Sequence, residues 1–172
     1  MPGTFVQYDP AADLLTLRDR QWEAGGGVLL SLNTVSWDGQ DDVALLDSLD
    51  LPDGAGTILA RGSRIYFDTY AYTYVDYYYT SGYGIYAVSL EPDGSLSLGE
   101  EVKVTDNWAS LLDARGTTAY VSIGNAVARY DFSGEDVFRD LTETMGTPAS
   151  VRFGATTVRV LLGYSGMIRL PL

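Results

Sequence analysis

The chain has 172 residues, of which 46% are hydrophobic and 20% are charged, so it has enough apolar material for a packed core and gross disorder is excluded. It contains neither cysteine nor histidine, which excludes disulfides, Cys/His zinc sites and Ser-His-Asp or Cys-His catalytic sets. The net charge of −12 repels phosphate backbones and anionic membrane surfaces, so we expect neither nucleic acid nor a membrane as a partner.

The N-terminal third predicts short strands separated by turns. Residues 5–9 and residues 14–17 read as two strands joined by a turn at Pro10. Residues 25–53 give the weakest pattern, and only residues 42–51 within them indicate a further strand. We therefore predict that residues 42–51 lead into the strand that starts the next part of the chain.

An internal repeat organises the rest of the sequence. Residues 60–67 align with residues 114–121, and residues 152–160 form a third, looser copy. Each copy reads as a strand, a tight turn that carries glycine and a second strand. The glycines are Gly62, Gly116 and Gly154, and we expect a positive φ there because glycine adopts it without steric cost.

Further strands complete each repeat. Residues 85–89, 127–131 and 167–170 predict a third strand, and a turn then leads to a fourth. Residues 135–145 have an acidic start and a following glycine, which also fits a helix, but their place in the repeat favours a strand.

The spacing of the repeats indicates the fold class. Gly62 and Gly116 are 54 residues apart, and Gly116 and Gly154 are 38 residues apart. Four-stranded units of about 40–50 residues are typical of β-propeller blades. We therefore predict a single all-β domain, a β-propeller or partial propeller of about four four-stranded antiparallel blades. The approximate units are residues 1–54, 55–105, 106–146 and 147–172.

The ends of the chain suggest how such a ring would close. The pattern predicts that the last unit stops after its third strand and that the first unit starts at a third strand near Thr4. Residues 14–17 or a neighbouring strand are therefore predicted to complete the last unit, which would remove exposed sheet edges.

Residues 106–116, followed by residues 119–122 and 128–131, resemble the blades of bacterial secreted β-propeller domain proteins. The likeness is clear over residues 55–172 and implies an extracytoplasmic or extracellular location in a bacterium, although residues 1–20 lack a signal peptide pattern. Members of that family are usually longer. The chain is then the C-terminal blades of a larger propeller, a short four-unit form, or a piece that self-associates to complete a ring.

A tyrosine-rich segment is the main candidate for binding. Residues 66–86 hold nine of the 13 tyrosines, and part of the segment alternates in the way that an extended hairpin arm does. Tyrosine offers apolar area at low entropic cost together with a hydroxyl, so we predict a contact surface. The alternative is a long strand pair with tyrosines on both faces. The predicted binding residues are Tyr70, Tyr72, Tyr74, Tyr77, Tyr78, Tyr79, Tyr83 and Trp108.

The tryptophans and two repeated arginines predict packing. We expect Trp22, Trp37 and Trp108 to pack in the core or between blades, although Trp108 would also stand near a central channel where ligands bind. Arg61 and Arg115 recur at one repeat position, which favours a structural salt bridge.

One acidic cluster is a weak candidate for a metal. Asp38, Asp41 and Asp42 could offer oxygen ligands to Ca²⁺, but their spacing does not match an EF-hand loop and also fits a solvated turn. No other cofactor is expected.

The function that the sequence favours is non-enzymatic. No phosphate-binding glycine loop, nucleophile elbow or marked pair of carboxylates is present, although two acids alone can hydrolyse glycosides. We expect an interaction or assembly module that binds a protein partner or a second copy of itself. The alternatives are a carbohydrate-binding or carbohydrate-active propeller, and a structural fragment of a larger propeller without an independent function.

Overall fold

The chain folds as an all-β protein, which confirms the predicted class. The computed structural model describes residues 3–22, 24–37, 43–75 and 78–172, and it describes side chains in the same ranges except at residues 73–75 and 78–80. These residues form four antiparallel sheets and one short 3₁₀ helix, Gly163–Ser165. Within these ranges no helix has the length and apolar character needed to cross a lipid bilayer.

Sheet 1 contains four strands in chain order. They are β1 (Thr4–Asp9), β2 (Leu14–Trp22), β3 (Val28–Trp37) and β4 (Val43–Asp50), and each pairs with the next. The strand at residues 14–17 therefore lies inside sheet 1, between β1 and β3, where both of its edges are hydrogen-bonded. The prediction that it completes the last sheet is wrong, and so is the expectation that the first unit starts at a third strand.

Sheet 2 follows the same order and contains the longest strands. They are β5 (Ala55–Arg61), β6 (Arg64–Val75), β7 (Tyr78–Leu90) and β8 (Leu96–Leu98). A further short strand, β9 (Val102–Thr105), pairs with β7 at Tyr83–Ile85.

Sheet 3 also has four strands in chain order. They are β10 (Ser110–Arg115), β11 (Thr118–Ile123), β12 (Ala126–Asp131) and β13 (Phe138–Glu143). β13 pairs with the whole of β12, so the strand prediction for this segment is confirmed and the helical alternative is wrong.

Sheet 4 has three strands, β14 (Ser150–Phe153), β15 (Thr157–Leu161) and β16 (Met167–Pro171). The segment between β15 and β16 forms the 3₁₀ helix, which serves as the turn between these two strands.

The turns between paired strands depend on glycine at two repeat positions. Gly62 has a φ of 69° and Gly116 a φ of 56°, each in a two-residue loop that joins adjacent antiparallel strands. A left-handed residue matches the right-handed twist of the flanking strands, and glycine adopts it without a Cβ penalty. Gly154, in the third copy, is not among the glycines with a positive φ, so the expectation is wrong for that copy.

The chain divides into two compact units. Unit 1 comprises residues 1–69 and 86–100, and unit 2 comprises residues 70–85 and 101–172. In unit 1, alternate side chains of sheets 1 and 2 pack face to face around a buried cluster of Leu32, Leu51, Ile65, Phe67 and Val88. Burial of such side chains stabilises a sheet pair by roughly 1.5–3 kcal/mol for each large residue.

Unit 2 repeats this arrangement with sheets 3 and 4. Its core contains Tyr120 and Val127 from sheet 3, and Val151, Val158 and Val160 from sheet 4. The ring of Tyr120 meets that of Phe153 edge to face at 5.7 Å.

A similar hydrogen bond joins the two sheets of each unit. In unit 1, Gln7 donates from Nε2 to the carbonyl of Gly62 at 2.8 Å. In unit 2, Arg115 donates from Nη1 to the carbonyl of Gly154 at 2.8 Å and lies over the ring of Phe153. The structural role expected of Arg115 is therefore performed through a backbone carbonyl of the following sheet.

Candidate functional site

The tyrosine-rich segment forms a hairpin that extends past the rest of its sheet. β5 pairs with β6 only as far as Thr69, whereas β6 continues to Val75 and β7 starts at Tyr78. Tyrosine and threonine dominate this extension, and both suit a pleated, half-exposed surface. We call residues 70–85 the arm; all of them belong to unit 2.

Tyr83 fastens the arm to sheet 3. Its side chain is 3% exposed, and its Oη accepts a hydrogen bond of 2.6 Å from the backbone N–H of Leu111. The pairing of β10 with β11 is irregular after Leu111. Tyr83 therefore holds the arm in place and offers little surface to a partner.

The loss of this hydrogen bond is expected to destabilise the protein. Tyr83→Phe should lower the free energy of unfolding by about 1–3 kcal/mol, because the N–H of the buried Leu111 would lose the acceptor that the Tyr83 hydroxyl provides. Chemical denaturation measures the change, and faster amide exchange at Leu111 would locate it. Tyr164→Phe, at an exposed tyrosine, should change stability by less than about 0.5 kcal/mol. Unchanged exchange at Leu111 would contradict the assigned role.

A second set of contacts holds the base of the arm. Ser81 donates from Oγ to the carbonyl of Asp106, and Lys103 forms an ion pair of 2.6 Å with the Asp106 carboxylate. The hydrogen bond that Lys103 donates to the Asp106 carboxylate raises the pKa of Lys103, and the charges of Asp106 and Glu101 raise it further. Lys103 and Asp106 lie outside the tyrosine-rich segment in sequence, and the pairing of β9 with β7 brings them to the arm.

An aromatic patch lies on the arm and beside it. We define it as Tyr70, Tyr72 and Trp108. Tyr70 meets Trp108 edge to face with ring centroids 5.1 Å apart. Trp108 is 68% exposed and Tyr72 is 61% exposed. Large aromatic rings that are exposed to solvent on a segment held in place by other contacts are typical of a contact surface.

The structure places the predicted tryptophans differently from the expectation of packing. Trp108 is exposed, and so is Trp22, at 70%. Packing was therefore the wrong prediction for these two residues. Trp37 is half-buried and meets Tyr8 edge to face, as expected of a packed ring.

Several predicted site residues lie outside the described part of the chain. The structure describes neither the side chains of Tyr74, Tyr78 and Tyr79 nor any part of Tyr77. The weak calcium candidates Asp38, Asp41 and Asp42 also lie outside the described residues. Among the described residues, no group of three or more acidic side chains is placed to hold a metal ion.

The described part of the site suits binding through surface contact. Trp108 and Tyr72 offer aromatic faces, while Asp106 and Lys103 satisfy each other's charge beside them. No family model matches the chain, and neither the curated proteins nor the solved structures include a significant match. The function is therefore inferred from the chain's own residues.

Proposed function

We propose that the protein is a non-enzymatic interaction module that binds a protein partner through the aromatic patch. The observation that supports this most directly is the exposure of Tyr72 on the arm that Tyr83 anchors, with the exposed Trp108 beside it. A large ring left in water on a rigid support is favourable for binding because little entropy is lost when a partner covers it.

The patch is preorganised by its own contacts. Tyr70 meets the Trp108 ring edge to face, so the indole is already oriented before a partner arrives. Tryptophan and tyrosine are the residues most often found at the energetic centre of interfaces, where truncation costs about 2 kcal/mol or more. Two such residues are enough to dominate the affinity of a small contact surface.

We also propose that the four sheets are consecutive propeller-type blades. Two features support this arrangement within each unit. Consecutive sheets pack face to face, and their first strands lie side by side, β1 beside β5 in unit 1 and β10 beside β14 in unit 2. The resemblance noted in the sequence extends this proposal to an extracytoplasmic location in a bacterium.

Selection of peptides on the patch tests the proposed binding function. A phage-displayed random peptide library is panned on the wild-type protein, and the enriched peptides are measured on a Tyr72→Ser/Trp108→Ser variant. We expect affinity to fall at least tenfold, which corresponds to the loss of about 1.4 kcal/mol or more.

The chain offers a matched control for this experiment. Trp22→Ser/Tyr164→Ser removes one exposed tryptophan and one exposed tyrosine outside the arm. This variant should keep wild-type affinity for the same peptides. Peptides that bind both variants equally, or a glycan array that captures the wild type while no peptide does, would overturn the protein-binding proposal in favour of a sugar-binding one.

A further inference from the structure

A row of three arginines crosses the outward face of sheet 4. Arg152 lies opposite Arg159, which lies opposite Arg169, and all three side chains are exposed. Cross-strand partners point to the same face of a sheet, so the three guanidinium groups share one surface. Neighbouring strands are about 4.8 Å apart, and the row is therefore roughly 10 Å wide at the backbone. We call this surface the basic face.

The basic face is unusual in an acidic chain. It gathers three of the 11 basic residues, and no described side chain forms an ion pair with any of the three. Like charges placed directly opposite on adjacent strands are destabilising. The next row on the same face contains Leu161 and Met167, both more than one third exposed. The surface thus combines apolar area with unneutralised positive charge.

Sheet 1 has an outward face of opposite charge. Asp19 on β2 and Asp50 on β4 lie on either side of Ser31, in one cross-strand row. Two strand spacings separate the two carboxylates, again roughly 10 Å at the backbone. They line an open groove of about 490 Å³, in which Arg20 is the one basic residue among the described lining residues and leaves the carboxylates in excess. We call this surface the acidic face.

Apolar side chains also accompany the charges of the acidic face. Tyr8 and Leu45 share a row on this side of sheet 1, and Phe5 lies in the row between them and the aspartates. All three are at least 40% exposed. The other side of sheet 1 packs on sheet 2. On the acidic face the centre of β3 is buried at Ser31 and Val35, while these three apolar side chains on the neighbouring strands remain exposed.

We propose that the basic face of one copy of the chain docks on the acidic face of a second copy. The charges are complementary, the two charged rows have the same width, and each row borders exposed apolar residues. The two faces differ, so the contact is heterologous and repeats into closed rings or open chains of copies. Neither the basic face nor the acidic face includes a residue of the aromatic patch. The inference therefore stands even if the patch binds nothing.

Sedimentation of paired charge-reversal variants tests the inference. The first variant carries Arg152→Glu, Arg159→Glu and Arg169→Glu, and the second carries Asp19→Lys and Asp50→Lys. Each alone should associate at least tenfold more weakly than the wild type, because its two faces have the same sign. An equimolar mixture should associate again, since each face then meets one of opposite charge. Added salt should weaken the wild-type contact.

Two controls exclude misfolding and general charge effects. Circular dichroism shows whether each variant is folded. Restored association in the mixture shows that both variants still present surfaces that can form the contact. Arg139→Glu alters an exposed arginine of sheet 3 and should leave association unchanged. A wild-type protein that is monomeric at every concentration in low salt would overturn the inference. So would association that survives either reversal, or a mixture that stays dissociated.

Discussion

Phe67→Ala is expected to lower the free energy of unfolding by about 3–5 kcal/mol. Phe67 is completely buried between sheets 1 and 2, and its ring stacks on that of Tyr86 with centroids 4.9 Å apart and planes 5° from parallel. The substitution removes the apolar area of the ring and leaves a cavity that the surrounding strands cannot fill. Urea denaturation followed by circular dichroism measures the loss.

Phe138 provides the matched control for this substitution. It is a phenylalanine in a strand of sheet 3, but its side chain is largely exposed. Phe138→Ala should change the free energy of unfolding by less than about 0.5 kcal/mol. If both substitutions cost the same, packing of Phe67 between the two sheets would not be the source of its contribution.

Stability is expected to fall steeply above pH 10. Burial raises the pKa of the Tyr120 and Tyr130 phenols above the ordinary value of 10.0, although nearby arginines oppose the shift. Above pH 10 the unfolded chain releases these protons while the folded chain retains them, so unfolding becomes more favourable. The stability that the neutral phenols contribute is complete below pH 10 and is lost as the pH rises through the folded pKa. The slope is about 1.4 kcal/mol per pH unit for each tyrosine.

Substitution of one of these tyrosines isolates its share of the pH dependence. Tyr130→Phe should remove about half of the added slope that Tyr120 and Tyr130 produce, as measured by urea denaturation on both sides of pH 10. At neutral pH the same variant should be at least as stable as the wild type, because the buried Oη makes no hydrogen bond with a described residue. The prediction would be contradicted if the free energy of unfolding of the variant fell with pH as steeply as that of the wild type. A clear loss of stability at neutral pH would contradict it too.

Local sequence patterns predicted much of sheets 3 and 4. The alternation at residues 118–123 and 127–130 corresponds to β11 and β12, because one face of each strand is buried and the period of two shows in the sequence. The same logic fails at residues 31–35 in β3, where side chains on both faces are buried and no alternation exists. The first sheet was therefore unclear in the sequence, and the pairing of its strand at residues 14–17 was predicted wrongly.

The candidate site, like the fold, was predicted from the sequence only in part. The concentration of tyrosines is visible in the composition, and it predicted a long hairpin at the correct place. The different roles of its members are not visible, since Tyr83 is an anchor and Tyr72 is exposed although both belong to the same run. The partner of Tyr83 lies 28 residues away, so only the folded chain decides which hydroxyl finds a buried N–H.

The sequence by itself determined that the protein is all-β, repetitive and acidic, because composition and short-range periodicity depend only on neighbouring residues. The tertiary structure decided which residues act together. Arg152, Arg159 and Arg169 are 7 and 10 residues apart and form one row only through strand register, and Asp19 and Asp50 share a row in the same way. Register is set by turns and by the burial of the opposite face, and it is therefore a property of the whole sheet.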